Sequence, residues 1–423
     1  MKNKIHNKIL IPGLFGNILE WYDFALYGYF SSKISSLFFP SDDKLISTLI
    51  TYGIFAIGLF MRPVGGIIFG YLGDKYGRKK ALSYAIFMMA IPTCIIGILP
   101  SHEKIGIYAG IILTACRFFQ GIAIGGEFTG SIVYIIEHAP QNKRGFYGSC
   151  IMFSAFSGIL LGSFTGALTN FLSINTFAAD WAWRIPFISG LFLGIVGLYF
   201  RTKMPETPEF NKLIYHGNME KSPLKKVFFT APKRILQATG LVMLPAMSFY
   251  LIFVYLATYL EMYLDVSLST SLFINSISMI IMTITIPVFG ILSDKYGRKP
   301  LLMLGTIGFL LLSYPLFVLI STGKLVLILL AQCCFAFLVA LVYSSIPATL
   351  FEMFETDIRF TSISLPYNLA NSLFGGTAPF VATILIYYTN ILGPSFYLIT
   401  MSIIAIPLIY KLKETNKVNY VKA

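Results

Sequence analysis

Apolar stretches long enough to cross a lipid bilayer recur along this chain, and they constrain its fold more than any other feature. A membrane-spanning helix needs about 20 mostly apolar residues. The 423-residue chain is 56% hydrophobic and only 12% charged, which does not suit the surface of a soluble domain. We therefore predict an all-α membrane protein with twelve transmembrane helices, near residues 9–31, 48–72, 82–100, 105–136, 146–172, 183–200, 236–260, 270–292, 301–320, 325–350, 360–388 and 394–411.

Positive charge is distributed unevenly between the two sides of these stretches. The formal net charge is +13, and 25 of the 32 Lys and Arg residues lie in the termini or in the loops after the even-numbered helices up to the tenth. This asymmetry follows the positive-inside rule, so it reflects membrane topology and not nucleic-acid binding. It predicts a multi-pass protein of the cell inner membrane with both termini in the cytoplasm.

The sequence repeats itself after about half its length. GYLGDKYGRKKAL (residues 70–82, the first basic motif) matches GILSDKYGRKPLL (residues 290–302, the second basic motif) at nine of thirteen positions. Six helices per half bring each half back to the side where it started, which makes the halves parallel repeats. We predict an N-terminal six-helix bundle over 1–200, a cytoplasmic linker over 201–235 and a C-terminal bundle over 236–423.

Both basic motifs resemble the signature of the major facilitator superfamily, and the resemblance covers essentially the whole chain. Seven ordered motifs resemble the metabolite:proton symporter family within it: EWYDF (20–24), MRPVGG (61–66), RFFQG with GGEFTG (117–130), KRGFYGS (143–149), WAWRIPF (181–187), ETPEF (206–210) and YNLANSLFGG (367–376). The run 125–149 and ETPEF are most similar to proline/betaine-type osmolyte transporters. The extended C-terminal coiled coil of some of those osmosensors is not expected here, because only about a dozen residues follow the last apolar stretch.

This resemblance implies a secondary active transporter working by alternating access. It implies proton-coupled symport of a small carboxylate-bearing osmolyte such as proline or glycine betaine. We expect the lipid bilayer, protons and the solute as partners, no cofactor and a functional monomer. Two alternatives remain open, namely a di- or tricarboxylate:proton symporter (2-oxoglutarate or citrate-like) and a non-transporting sensor derived from a transporter.

Three carboxylates within the predicted helices are candidates for proton coupling. A charged side chain at the centre of a spanning helix costs about 2.5–3.5 kcal/mol on insertion scales, so such residues point to function. Glu20 and Asp23 are three residues apart and share one face of the first helix. Glu127 follows Gly125 and Gly126, which allow a neighbouring helix to approach closely. Either these carboxylates bind and release a proton, or they form permanent ion pairs with buried arginines.

Several polar and aromatic residues are candidates for binding the solute. A guanidinium fits a carboxylate with two parallel donors, and an aromatic face attracts an ammonium group. The candidates are Arg117, Gln120, Trp21, Tyr27, Tyr367, Asn368 and Arg62. For Arg117, solute binding and an ion pair with a buried carboxylate are both open, whereas Arg62 fits the structural role of pairing with such a carboxylate better. The nearly balanced set of buried charges favours a zwitterion over a multivalent anion.

The two basic motifs are predicted to be gates in short cytoplasmic loops. A carboxylate at a helix end can cap the positive N-terminus of another helix, and loss of that contact would free the gate. The gating candidates are Asp74, Arg78, Asp294 and Arg298. Gly77 and Gly297 suit a turn that needs positive φ. By resemblance, the motifs stabilise the closed cytoplasmic side, and the alternative is a tight turn kept basic for topology.

WAWRIPF places Arg184 at the outer mouth, where it either contacts an anion or extends its charge to the interface.

Other functional classes fit the sequence less well. The four histidines lie in termini, loops or helix ends, and no nucleophile, phosphate-binding or metal motif is present. We therefore predict neither an enzyme nor a metal site. The duplicated gate motifs also argue against a permanently open channel.

Overall fold

The computed structural model describes residues 2–40, 44–173, 181–217, 220, 222–230 and 232–415, and helices make up its regular structure there. A bilayer offers no water to bond with exposed backbone groups, so a spanning segment must satisfy them internally as a helix. The predicted class of an all-α membrane fold is confirmed.

The chain divides into two compact units, Met1–His138 with Ser154–Leu224 (unit 1) and Ala139–Phe153 with Lys225–Ala423 (unit 2). The helices up to the tenth are α1 (Lys2–Tyr29), α2 (Ser31–Phe38), α3 (Lys44–Phe60), α4 (Arg62–Tyr76), α5 (Arg78–Ile98), α6 (His102–Ile105), α7 (Tyr108–His138), α8 (Arg144–Ser173), α9 (Arg184–Lys203) and α10 (Pro208–Tyr215). The first residues of α8 belong to unit 2, and the remainder of that helix belongs to unit 1.

The later helices belong to unit 2, apart from the first residues of α11. They are α11 (Pro223–Thr230), α12 (Pro232–Phe249), α13 (Leu256–Leu264), α14 (Leu268–Tyr296), α15 (Arg298–Ser321), α16 (Leu325–Met353), α17 (Arg359–Ala370), α18 (Ala378–Tyr388) and α19 (Gly393–Tyr410). Two π-helical segments join neighbouring helices, π1 (Tyr250–Tyr255) and π2 (Asn371–Gly375). A 3₁₀ turn covers Gln141–Lys143.

Eleven segments of the described chain are long and apolar enough to span a membrane, and they correspond to the second to twelfth predicted helices. They are Ala56–Tyr76, Arg78–Ile98, Tyr108–His138, Gln141–Leu172, Arg184–Lys203, Pro232–Leu264, Leu268–Tyr296, Arg298–Ser321, Leu325–Met353, Arg359–Tyr388 and Gly393–Tyr410. The first predicted helix corresponds to α1, whose 28 residues are also long enough to span. It carries the polar residues Asn17, Glu20 and Asp23.

The helix ends differ from the predicted ones where charges are buried. The basic motifs were expected to be short cytoplasmic loops, but a single glycine separates α4 from α5 and α14 from α15. Asp74, Arg78 and Arg298 are at most 1% exposed. Similarly, α9 extends to Lys203, so Arg201 is a buried residue of its last turn and not part of a linker. A charged residue lowers the local hydropathy, so each predicted helix ended before it. Hydropathy does not show whether such a side chain is buried by neighbouring helices.

Small residues let α4 and α7 pack with their backbones in contact. A Cβ atom on Gly125 would lie 2.1 Å from the Arg62 carbonyl oxygen, and one on Gly65 would lie 2.0 Å from the Ile122 carbonyl oxygen. The close approach predicted beside Glu127 is confirmed. This contact holds the carboxylate of α7 at a constant position in unit 1.

Candidate transport site

A small cavity in unit 1 brings the three predicted carboxylates together. Glu20 and Asp23 of α1 and Glu127 of α7 line it, together with apolar residues of α5 and α9. Its volume of about 20 Å³ has room for one water molecule. Each carboxylate is at most 5% exposed. Among the described residues, they do not form a group able to hold a metal ion.

Hydrogen bonding inside this cavity is incomplete. Both carboxylate oxygens of Glu20, Oδ1 of Asp23 and Oε2 of Glu127 are buried and make no hydrogen bond within the described part of the chain. An ionised carboxylate in that situation carries a desolvation cost of several kcal/mol, whereas the neutral acid carries much less. The cavity is therefore suited to carboxyl groups that exchange a proton.

A chain of hydrogen bonds extends from Asp23 to the predicted solute-binding arginine. The Thr93 hydroxyl lies 2.8 Å from Asp23 Oδ2 and 2.7 Å from the Gln120 amide nitrogen. Gln120 Oε1 in turn accepts a hydrogen bond of 2.8 Å from Arg117 Nη1. Arg117 also lies over Tyr27, with Cζ 4.3 Å from the ring centre. The arginine is thus positioned by a side-chain amide and an aromatic face, on the same network as a candidate proton acceptor.

Glu127 pairs with an arginine that the sequence analysis did not select. Its Oε1 accepts a hydrogen bond from Arg201 Nη2, and Ser131 lies 3.4 Å from the same oxygen. From the sequence, Arg62 or Arg117 was the expected partner of the buried carboxylates. The Arg62 guanidinium lies over Trp21, with Cζ 5.7 Å from the ring centre.

Charged residues of the first basic motif form a buried cluster at the ends of α4, α5 and α7. Arg78 Nη1 donates to the Gly73 carbonyl at 2.8 Å, and the guanidinium lies 3.4 Å from both Asp74 and Glu137. Gly77, between the two helices, has φ of +111°, as predicted. The cluster fixes the turn that the sequence analysis assigned to a gate.

Glu206 caps the helix that follows this turn. Its carboxylate accepts hydrogen bonds from the backbone N–H groups of Arg78 at 3.1 Å and Lys79 at 3.3 Å. These are donors that a helix N-terminus leaves without partners. Burial raises the pKa of the Glu206 carboxyl, although hydrogen bonds from Thr207 and Lys79 and the charge of Arg78 act in the opposite direction.

Unit 2 repeats this arrangement at the second basic motif. Arg298 lies 2.8 Å from Asp294 and 3.1 Å from Glu352, and Gly297 has φ of +110°, again as predicted. Glu414 accepts hydrogen bonds from the backbone N–H groups of Arg298 at 2.8 Å and Lys299 at 3.1 Å. Each unit thus has an arginine between two carboxylates and a third carboxylate capping the next helix.

Asp294 also accepts hydrogen bonds from a helix outside the second basic motif. Its two oxygens accept from the backbone N–H groups of Gly145 at 2.7 Å and Phe146 at 2.8 Å. Both donors belong to the first turn of α8, within unit 2. This is the helix-capping contact expected of a carboxylate in a gate motif.

Three further predicted residues are not among those that line the cavity in unit 1. Tyr367 and Asn368 belong to unit 2 and are buried, and Asn368 Nδ2 donates to the Ser364 carbonyl at 2.8 Å. Arg184 donates to the carbonyls of Gly97 at 3.0 Å and Leu99 at 2.7 Å. It therefore binds the carboxyl-terminal end of α5, where positive charge is favourable.

Comparison with known proteins decides the family. The Major Facilitator Superfamily profile matches residues 15–379. The chain is 33% identical over 417 residues to the proline/betaine transporter of Escherichia coli (strain K12), covering 96% of this chain and 83% of that protein. The chain belongs to the major facilitator superfamily.

Further similarities agree with this assignment. The facilitator is 33% identical over 418 residues to the glycine betaine/proline/ectoine/pipecolic acid transporter OusA of Dickeya dadantii (strain 3937), covering 96% of this chain and 83% of OusA. The structure of the proton:xylose symporter XylE bound to 6-bromo-6-deoxy-D-glucose superposes with a TM-score of 0.79 at 19% identity, covering 99% of each chain. The latter similarity shows the fold. The facilitator is thus an integral membrane transporter and not an enzyme, as predicted.

Several residues of this facilitator's polar network were not singled out from the sequence. Arg201 and Glu414 lie just beyond the predicted ends of their helices, Glu206 was noted only as part of a family motif, and Thr93 is a common residue of spanning helices. One signal was available for the two glutamates: both units follow their last helix with a Glu-Thr pair, at 206–207 and 414–415. For Arg201, no sequence signal distinguishes a buried arginine from one in a loop.

Proposed function

We propose that this facilitator carries a small zwitterionic osmolyte, such as proline or glycine betaine, across the cell inner membrane together with protons. The solute class is supported by the transporters it resembles, whose names give proline and betaine. The proton part is supported by one observation, the three buried carboxylates around a cavity with room for one water molecule. The charge asymmetry of the sequence supports cytoplasmic termini. We propose separately that each chain acts as a monomer.

Solute binding is assigned to the polar network that ends at Arg117. The guanidinium, positioned by Gln120 and Tyr27, offers donors to the carboxylate that proline and betaine both carry. The ammonium group then lies near an aromatic ring or a carboxylate. Trp21, Arg62, Tyr367 and Asn368 remain candidates for further contacts.

Proton coupling follows from the position of Asp23 on the same network. Solute binding at Arg117 is transmitted through Gln120 and Thr93 to this carboxyl group, by bonds of 2.7–2.8 Å. A proton on Asp23 or Glu20 removes a negative charge from a site where the ionised form is poorly solvated. Loading with solute and proton together thus lowers the cost of burying these carboxylates during the conformational change.

Alternating access requires gates, and we assign them to the two basic motifs. The contact of Asp294 with the first turn of α8 stabilises a closed cytoplasmic side, and opening requires its loss. Asp74, Arg78, Arg298, Gly77 and Gly297 maintain the turns in which such carboxylates sit. Arg184 stiffens the outer end of α5.

Reconstitution into lipid vesicles tests this proposal. We expect labelled proline and betaine to accumulate only with an inward proton gradient, and an uncoupler to abolish accumulation. Excess 2-oxoglutarate or citrate should not compete. Accumulation driven by sodium alone would contradict proton coupling, and competition by the di- or tricarboxylate would contradict the solute class. Failure to transport any of the four solutes in either direction would favour a sensor.

Neutral variants test the carboxylates in the same vesicles. We expect Glu20→Gln and Asp23→Asn to abolish gradient-driven accumulation while solute exchange between equal concentrations continues. Glu103→Gln, on an exposed residue, is the matched control and should transport normally. If both variants accumulate solute like the unmodified protein, these carboxylates have a structural role.

A further inference from the structure

We propose that Arg201 links the buried carboxylates of unit 1 to the first basic motif, so that the proton on Glu127 controls the capping of α5. In this role Arg201 is a positioning residue. The inference rests on the proposed proton coupling. It adds a structural connection through which protonation of Glu127 changes the first basic motif. The connecting segment is Arg201–Glu206, which leaves the end of α9.

The first end of this segment is fastened to the carboxylate cavity. Arg201 is fully buried and its guanidinium pairs with the Glu127 carboxylate. This ion pair lies against the backbone of α1 at Gly16. A Cβ atom on Gly16 would lie 2.5 Å from both Arg201 Nη2 and Glu127 Oε1. A larger residue at this position would therefore displace the ion pair from α1. Gly16 and Glu127 both line the cavity, so the pair forms part of its wall.

The charged groups around Glu127 make Arg201 its principal counter-charge. From α1 the cavity receives two further carboxylates, Glu20 and Asp23, and from α5 it receives only apolar side chains. From α4, Arg62 lies over Trp21. Within the described chain, the salt bridge to Glu127 is made by Arg201 alone. The ion pair exists while Glu127 is ionised, and a proton on Glu127 removes it.

The other end of the segment is fastened to the first basic motif. Five residues after Arg201, Glu206 accepts hydrogen bonds from the first backbone N–H groups of α5, at Arg78 and Lys79. Between them, the Pro205 carbonyl accepts a hydrogen bond of 2.8 Å from Tyr134. Tyr134 lies seven residues after Glu127 on α7, two turns along the same face. The segment thus bridges α7 and the start of α5.

This geometry makes the two ends dependent on each other. Five residues span at most about 17 Å when extended, and both ends are bonded, so a shift of Arg201 is passed to Glu206. When Glu127 takes up a proton, Arg201 is released, the segment loosens and the α5 cap weakens. Coupling of this kind is reciprocal, so opening at the first basic motif also favours the protonated Glu127.

Hydrogen–deuterium exchange of the first backbone amides of α5 tests the link, with rates corrected for the intrinsic effect of pH. In the full-length protein, we expect Arg201→Gln and Glu127→Gln each to speed exchange at Arg78 and Lys79 about tenfold. Arg201→Lys, which keeps the charge, should restore most of the protection. If Arg201→Gln loses accumulation but its exchange at Arg78 and Lys79 is unchanged, the link is contradicted. The proposal of proton coupling is not contradicted by that result.

Two further comparisons guard against misfolding and separate this inference from the proposed function. Gly16→Ala should speed the same exchange because its Cβ displaces the ion pair, whereas Gly28→Ala on the same helix meets nothing within 4 Å and should not. If Arg201→Gln fails to fold, the double variant with Glu127→Gln removes both buried charges and should fold, still with fast exchange. Slow exchange in that folded double variant would overturn the inference. Absence of proton-driven accumulation in the unmodified protein would instead contradict the proposed function.

Discussion

Glu206 illustrates how burial and hydrogen bonding compete at a single carboxyl group. Loss of hydration is the largest influence and raises its pKa, and the nearby charge of Glu137 acts in the same direction. Backbone donors and Arg78 favour the ionised form but do not outweigh burial. Since a raised pKa means that the folded state holds the proton more tightly, the contribution of this group to stability depends on pH.

We expect Glu206→Gln to flatten the dependence of thermal stability on pH. The favourable effect of the proton is complete below the ordinary glutamate pKa of about 4.3 and is lost as pH rises through the higher pKa of the folded state. The amide does not titrate, so the variant's unfolding midpoint in detergent should fall less between about pH 4.5 and neutrality. Glu209→Gln, on a more exposed glutamate of the following helix, controls for the change of side chain. An unaltered slope in Glu206→Gln would contradict the expectation.

At the scale of elements, the π segments are the largest departure from the predicted regular helices. A proline lies five residues before the first residue of each segment, at Pro245 for π1 and Pro366 for π2. Proline removes a backbone donor and its ring crowds the preceding turn, which loosens the helix ladder. Periodicity does not reveal such a widening because the apolar pattern continues through it.

Two amide side chains stabilise π1 from neighbouring helices of unit 2. Asn275 of α14 donates to the Phe253 carbonyl at 3.0 Å, and Gln332 of α16 donates to the Ile252 carbonyl at 3.3 Å. The two amides also share a hydrogen bond of 2.7 Å. They supply partners to a wide turn of backbone in a region where lipid offers none.

We expect Asn275→Ala to destabilise the protein by about 1–3 kcal/mol, because a buried carbonyl loses its partner. Ser276→Ala, at the next position, is the matched control, since that exposed hydroxyl bonds only within its own helix. Thermal unfolding midpoints in the same detergent provide the comparison. Equal midpoints for the two variants would show that the amide contributes nothing to π1.

Across the whole molecule, the duplicated sequence gives duplicated chemistry. Each basic motif has an arginine between two carboxylates, a glycine with positive φ between its two helices and a capping glutamate. Because the ion pairs and the capping hydrogen bonds of the two motifs correspond, equivalent substitutions in the two units should have similar effects.

We expect Gly77→Ala and Gly297→Ala to lower stability by similar amounts, on the order of 1–3 kcal/mol for the backbone conformation alone. In both, the new Cβ would also meet the capping glutamate, at 2.3 Å from Glu206 and 2.5 Å from Glu414. Gly323→Ala should cost less, because its φ of +70° lies near the left-handed helical region and its new Cβ would meet nothing within 4 Å. The check is the order of the three unfolding midpoints, and a costlier Gly323→Ala would contradict it.

The sequence by itself determined the membrane fold, the two repeats, the family and the residues worth suspecting. Lipid acts on each stretch separately, so about 20 apolar residues and the charges flanking them carry that information locally. Only the tertiary structure decided how the buried charges are arranged. Glu127 and Arg201 are 74 residues apart, and their pairing depends on the rotation and close packing of α1, α7 and α9. The same packing placed Glu20 and Asp23 around one small cavity with Glu127, because side chains far apart in sequence meet only when the helices do.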